Sequence, residues 1–274
     1  MKCIALTLKA VTFDMWLTLI WDTKELEEYR KLRRIINFHR LTRRVGTKGS
    51  TREKITYNSI RLAMEELSVK ARELYKKGLD LSQEDRGRML FELLGLKFER
   101  SEAERVYYEA GRTLSNSGYY KKYPNLNPEV KPALAKLKKE FPAIKIGLIS
   151  NAARSSKTYR RMFRSYGISS YFDHLTVSSE VGFLKPRREI FESALKQLEV
   201  APEEALHVGD LFEADVAGAA SIGMNSLLYT GLWHRYAEYM NPSEHIPVGF
   251  KPKKGAIAKE ISKLEQVVQV ARKL

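Results

Sequence analysis

Val11-Thr12-Phe13-Asp14-Met15-Trp16-Leu17-Thr18-Leu19 decides the fold of this 274-residue chain. It begins as an apolar run that reads as a buried strand. It closes on a carboxylate, and a threonine follows four positions later. In open α/β sheets, ligands bind at the carboxyl ends of the central parallel strands. A carboxylate there can act as a nucleophile that forms a covalent intermediate. The plainer alternative is an aspartate that ends a strand or starts a turn.

Downstream of this stretch the pattern changes twice. From Thr23 to about Tyr120, apolar residues recur at helical spacing: Leu26, Tyr29 and Ile36, then Ile60, Met64 and Leu67, then Met89, Leu90 and Leu93. Residues 23–120 therefore read as an all-α insertion of small-domain size. After the turn-rich Tyr123-Pro124-Asn125-Leu126-Asn127-Pro128, strands and helices alternate. The spacing predicts a helix from Val130, a strand ending in Ser150-Asn151, and a helix stopped by Gly167. A strand from His174, a helix over 188–198 and a strand running into Gly209-Asp210 come next. They are followed by a helix from Asp215 closed by Gly223 and a strand over 225–229. Residues 231–256 read as surface loop and 257–273 as a final amphipathic helix. Repeated strand-helix units imply an α/β, Rossmann-like parallel sheet with helices on both faces. Residues 1–22 and 121–274 would build it.

Four polar positions then converge on one sheet edge. Asp14 follows the first strand and Ser150-Asn151 the second. Lys185 lies in Gly182-Phe183-Leu184-Lys185-Pro186, and Asp210 in Gly209-Asp210-Leu211-Phe212-Glu213-Ala214-Asp215. The chemistry is coherent. A carboxylate attacks, a lysine pairs with negative charge, and a hydroxyl and an amide bond to the substrate's oxygens. A second carboxylate could hold a hard cation such as Mg²⁺ beside the first. Phosphoryl transfer requires mainly electrostatic stabilisation of this kind. Taken singly, each residue has a bland reading: turn residues for Ser150 and Asn151, a solvent-facing loop lysine, a helix N-cap for Asp215.

Composition limits the partners. No apolar run approaches the ~20 residues of a membrane span, and Met1 to Lys9 lacks a small-residue cleavage site. The single cysteine, Cys3, excludes an internal disulfide and suits the cytoplasm. The net charge of +15 favours anionic partners. Between Tyr29 and Lys54 stand ten basic residues and one acidic residue, Glu53. That run could gather a small anionic substrate, although charge runs usually face water. It carries no recognised nucleic-acid motif, so nucleic acid is the lesser expectation.

Taken together, these motifs resemble those of the haloacid dehalogenase-like hydrolases, over about 10–20 and 125–230. Ser179-Glu180-Val181-Gly182 followed by Lys185-Pro186 and Ile190-Phe191 carries most of the likeness, with Gly209-Asp210 and Asp215 next. The resemblance implies that Asp14 is the nucleophile and that Thr18, Ser150 and Asn151 orient the phosphate. Lys185 would neutralise charge. Asp14, the Trp16 backbone carbonyl and Asp210 would bind Mg²⁺, with Asp215 in support. The helical insertion would be the family's cap over the substrate.

The match has one departure. Phosphatases of this family usually carry a second aspartate two residues after the nucleophile, as general acid and base. This chain has Trp16 there, which donates one N–H and accepts no proton. The family's 2-haloacid dehalogenases have a tyrosine at that place and need no acid. That branch, however, usually replaces the fourth motif with serine and asparagine and works without metal, and it has glycine where this chain has Leu17. The leading expectation is a Mg²⁺-dependent phosphatase of small phosphate monoesters. The alternatives are a metal-independent 2-haloacid dehalogenase, with Trp16 shaping its pocket, and a catalytically weak fold that binds anions or nucleic acid.

Overall fold

The computed structural model describes residues 8–44, 55–96, 124–235, 250–253 and 256–274. Cys3, part of the basic run, the end of the helical insertion and most of the loop after residue 235 lie outside them. The chain divides into two compact units, Met1–Trp21 with Asn125–Leu274, and Asp22–Pro124.

The first unit is built on a six-stranded parallel sheet. Its strands are β1 (Ala10–Phe13), β4 (Lys145–Ser150), β5 (His174–Val177), β6 (Ala205–Gly209), β7 (Asn225–Tyr229) and β8 (Ala258–Ile261). They lie in the order β5-β4-β1-β6-β7-β8. Strand β1 is central because all four of its residues are buried, so it can take neighbours on both edges and helices on both faces. Phe13 pairs with Leu148 on one side and Val208 on the other, which sets the residues after each strand side by side. A short antiparallel pair, β2 (Ile20–Trp21) and β3 (Asn125–Leu126), stands apart from the sheet.

Helix α7 (Arg188–Leu198) shows how sequence makes this packing. Ile190, Phe191, Ala194, Leu195 and Leu198 form its buried stripe at helical spacing. The stripe packs with Ala10, Ile149 and Ala205 from three adjacent strands. Each of the Ile, Phe and Leu side chains, fully buried, stabilises the fold by about 1.5–3 kcal/mol. Helices α4 (Val130–Glu140) and α5 (Ser156–Tyr166) bury shorter stripes, and α5 ends at Gly167 in the left-handed region, φ 71°.

Two sequence expectations change here. The segment expected to be a final helix holds strand β8 and then a short helix α9 (Gln266–Ala271). Ser226 through Tyr229 pair with Ala258 through Ile261, so a non-local ladder overrides the local helical pattern. The helix expected from Asp215 instead begins as a π-helical turn, Phe212–Ala217, continued by α8 (Gly218–Ser221).

The second unit contains α1 (Lys24–Arg44), α2 (Tyr57–Tyr75) and α3 (Gln83–Leu93). Thr56 and Ser59 cap α2 reciprocally, each hydroxyl accepting the other's backbone N–H at 3.0 and 2.9 Å. Ser82 caps α3 through the Asp85 N–H. Phe38, Ile60, Leu67, Leu90 and Phe91 close a core of their own. Buried Arg86 pairs with Asp80 and donates to the Tyr75 hydroxyl at 2.7 Å. Among the described residues, no helix is long and apolar enough to cross a membrane.

Candidate active site

The site is assembled at the carboxyl ends of β1, β4 and β6. The backbone N–H of Asp14 donates to the Val208 carbonyl at 2.8 Å, which carries the β1–β6 ladder one residue past the strand and fixes the carboxylate there. The chain then turns sharply. Leu17 stands at φ 54°, and the Leu19 and Ile20 N–H groups both return to the Met15 carbonyl at 2.9 Å. A leucine in the left-handed region costs about 1–2 kcal/mol. This is the position where the dehalogenase pattern has glycine. Trp16 projects from the turn and is 39% exposed.

Lys185 lies between two carboxylates. Its ammonium donates to Asp14 Oδ1 at 2.6 Å and to Asp215 Oδ1 at 2.5 Å, and all three side chains are buried. Burial opposes the lysine's charge, but the two carboxylates outweigh it and hold its pKa above the ordinary range. Asp215 is also buried, yet Lys185 and His207 hold its carboxyl well below the usual range. Asp14 goes the other way: burial raises it, and the lysine offsets that only in part. Asp210 is raised further, by burial and then by the charges of Asp14 and Asp215.

Two expected site residues make contacts within the chain. The Asn151 amide oxygen accepts the Lys185 N–H at 2.7 Å, and one of its N–H groups donates to the Lys185 carbonyl at 3.1 Å. It clamps the lysine loop to the end of β4. Asp215 has both oxygens engaged, Oδ1 by Lys185 and His207 and Oδ2 by the Leu211 N–H at 3.0 Å. These contacts are those of a residue that could support a cation only indirectly, the role the sequence suggested.

Gly209 makes this approach possible, because a Cβ at that position would collide with the Asp215 carboxylate. The Thr18 and Ser150 hydroxyls are buried and have no hydrogen-bond partner among the described residues. Buried hydroxyls left in that state are costly unless a ligand or water completes them. Sequence reading missed two contributors. Trp233 Nε1 donates to the Asp210 carbonyl at 3.1 Å, which steadies that turn. His207 lies beneath the site and touches Asp215. A histidine in the middle of the apolar run Ala205-Leu206-His207-Val208 was the available signal.

The haloacid dehalogenase-like hydrolase family matches residues 8–223, a span that takes in every group just described except Trp233. The chain belongs to that family. Among curated relatives, the glyceraldehyde 3-phosphate phosphatase of Methanothermobacter thermautotrophicus is 39% identical over 84 residues, 31% of this chain and 36% of that protein. The protein of the same name from Pyrococcus furiosus is 33% identical over 112 residues, 41% of this chain and 43% of that one. The chain thus spans about two fifths of the length of these relatives. A 2-haloacid dehalogenase from Pseudomonas syringae superposes with a TM-score of 0.59 at 22% identity, over 97% of this chain and 99% of the other. A haloacid dehalogenase-like phosphatase from Thermococcus onnurineus gives 0.53 at 22% identity, over 96% and 97%. At such identities the likeness is one of fold.

Proposed function

We propose that this hydrolase is a Mg²⁺-dependent phosphatase of small phosphate monoesters, acting through an aspartyl-phosphate on Asp14. One observation carries the reading. Three buried carboxylates, Asp14, Asp210 and Asp215, accompany one buried ammonium, Lys185. When ionised they leave two negative charges uncompensated, an expensive arrangement without a cation. The donor set fits Mg²⁺. Among the described residues, no group of three or more His, Cys, Asp or Glu forms a closed metal site. Two carboxylates, a backbone carbonyl and water are the open, all-oxygen set that Mg²⁺ takes beside a phosphate. Asp14, Asp210 and the Trp16 carbonyl would hold it. Bound there, it would neutralise charge on the transferring phosphoryl group.

The chain's own groups do the rest. Asp14 attacks phosphorus in line with the leaving oxygen, and its bond to phosphorus forms as the ester bond breaks. Lys185 favours the ionised form of Asp14 against burial and pairs with the phosphoryl oxygens. The Thr18 and Ser150 hydroxyls, unpartnered among the described residues, donate to the same oxygens. The helical unit would act as a cap that excludes water and selects the alcohol. The names of the curated relatives make a phosphorylated three-carbon sugar a reasonable first substrate.

Trp16 favours a second reading, dehalogenation of a 2-haloacid, because halide leaves without a proton. A screen of glyceraldehyde 3-phosphate, an aryl phosphate and 2-chloropropionate, each with Mg²⁺ and with EDTA, separates the two. Phosphate release that EDTA abolishes is expected. Halide release that survives EDTA would overturn the phosphatase reading.

A further inference from the structure

The two central strands carry two polar side chains that this reaction has not used. Thr12 on β1 and His207 on β6 are register partners, and both are fully buried. Thr12 Oγ1 lies 2.9 Å from His207 Nδ1, and His207 Nε2 lies 3.0 Å from Asp215 Oδ1. The same carboxylate oxygen accepts the Lys185 ammonium, which reaches on to Asp14. A hydrogen-bonded line therefore runs from the interior of the sheet to the nucleophile. The Phe191 ring meets the imidazole edge to face, 5.4 Å between centroids at 87°, and restrains its plane.

The proton inventory gives each bond a direction. Asp215 receives an ammonium and a backbone N–H, so it is an ionised acceptor. His207 Nε2 must then carry the hydrogen and donate to it. Burial disfavours the charged imidazole, so Nδ1 offers a lone pair, and the Thr12 hydroxyl donates to that. His207 bonds to side chains at both ends.

We propose that Thr12 and His207 are positioning residues for the reaction. They fix Asp215, and through it hold Lys185 at the distance from Asp14 that the attack requires. The proposal rests on the reading of Asp14 as nucleophile. Three N–H donors pin Asp215: His207 and Lys185 on one oxygen, Leu211 on the other. Without the imidazole donor, Oδ1 is left to the lysine alone. The ammonium is then drawn toward Asp215 and away from Asp14.

The test compares wild type with Thr12→Val, Thr12→Ser and His207→Gln. Thr12→Val keeps the shape of the core and removes the hydroxyl, so it answers even if His207→Gln fails to fold. Imidazole ¹⁵N resonances report the tautomer, and the Lys185 Nζ resonance reports the environment of the ammonium, neither needing turnover. A single neutral Nε2–H tautomer is expected at His207 in wild type and Thr12→Ser. In Thr12→Val the ring should stay Nε2–H but lose the hydrogen bond at Nδ1, so the Nδ1 and Lys185 resonances should both shift. With an aryl phosphate and Mg²⁺, kcat should fall about tenfold in Thr12→Val, the worth of one buried hydrogen bond. KM should stay within about twofold, and Thr12→Ser should restore kcat. A protonated or Nδ1–H ring in wild type would overturn the proposal. So would a Lys185 signal that neither Thr12→Val nor His207→Gln moves. A wild type that hydrolyses no phosphate ester refutes only the phosphatase reading, because the resonances still decide the relay.

Discussion

At Asp14, the proposed nucleophile, two demands compete: attack requires the ionised form, yet burial favours the neutral one. Lys185, at 2.6 Å, offsets the effect of burial in part. Asp14→Asn keeps the shape and one hydrogen-bond acceptor, so the fold should survive while turnover of any ester disappears. Wild-type rates in the purified variant would exclude covalent catalysis at this residue. Trp16 leads to a kinetic prediction. An absent general acid should cost on the order of 10²–10⁴ in rate for a poor leaving group. An aryl ester leaves as phenolate and escapes most of that cost, so its transfer to Asp14 should be fast. Water attack on the aspartyl-phosphate would lack its base and limit the steady state. The expected trace is a phenolate burst equal to the enzyme concentration, followed by slow release, with aryl esters strongly preferred over alkyl. Trp16→Asp should speed the slow phase. Glu213 is exposed on the π-helical turn, so it could act only by reaching in from solvent. Equal alkyl and aryl rates with no burst would assign the acid-base work elsewhere. At this scale Asp14, Lys185 and Asp210 were legible in sequence because each follows a recognisable strand or motif. His207 was not, because its role depends on a register partner 195 positions away.

The turn after β6 is an element whose geometry rests on one missing side chain. Gly209 ends the strand, and the following turn folds Asp215 back over it. Its amide N–H donates to the Leu211 carbonyl at 2.8 Å. Gly209→Ala would push its methyl into the carboxylate, so Asp215 must move and Lys185 with it. Overpacking of this kind costs about 1–3 kcal/mol. Both melting temperature and kcat should fall, whereas Gly223→Ala, remote from the site, should lower melting temperature only. An unchanged kcat in Gly209→Ala would show that the position of Asp215 is unimportant. The turn after β1 offers the opposite case. Leu17→Gly removes the strain of a left-handed leucine but loosens the unfolded chain, so the two effects should nearly cancel in stability. Helix α7 was readable to the residue because its buried stripe repeats at one period. Strand β8 was not. Its Lys259 and Glu260 are exposed on the sheet edge, and such charges on edge strands limit further pairing while reading locally as helix. The π-helical turn also escaped the sequence reading, since no residue pattern distinguishes it from an α-helical start.

For the whole molecule the α/β alternation was sufficient to give the fold class, because parallel strands need helical crossovers and the crossovers carry periods of their own. The charge of +15 could be read from the sequence as well, and it has a kinetic consequence. A positive field gathers anionic substrates, so kcat/KM for a phosphate ester should fall as salt rises from 0.01 to 0.2 M (on the order of the screening range), while kcat holds. A flat salt profile would leave the basic surface without a role in catalysis. The last expectation joins the site to the stability of the fold. Asp14 and Asp210 are both raised, which means their ionised forms weigh against the folded state. A divalent cation bound between them should relieve that cost and bind the folded chain alone. At a free concentration 100 times its Kd, such a ligand stabilises by about 2.7 kcal/mol. For a core of this size that corresponds to a rise of roughly 5–10 °C in melting temperature. Mg²⁺ should therefore raise the wild-type transition and EDTA reverse it, while Asp210→Asn should melt at the same temperature with or without the metal. A wild-type transition that ignores Mg²⁺ would leave the excess charge unexplained by a cation. Together with EDTA-resistant halide release, it would move this chain to the dehalogenase branch.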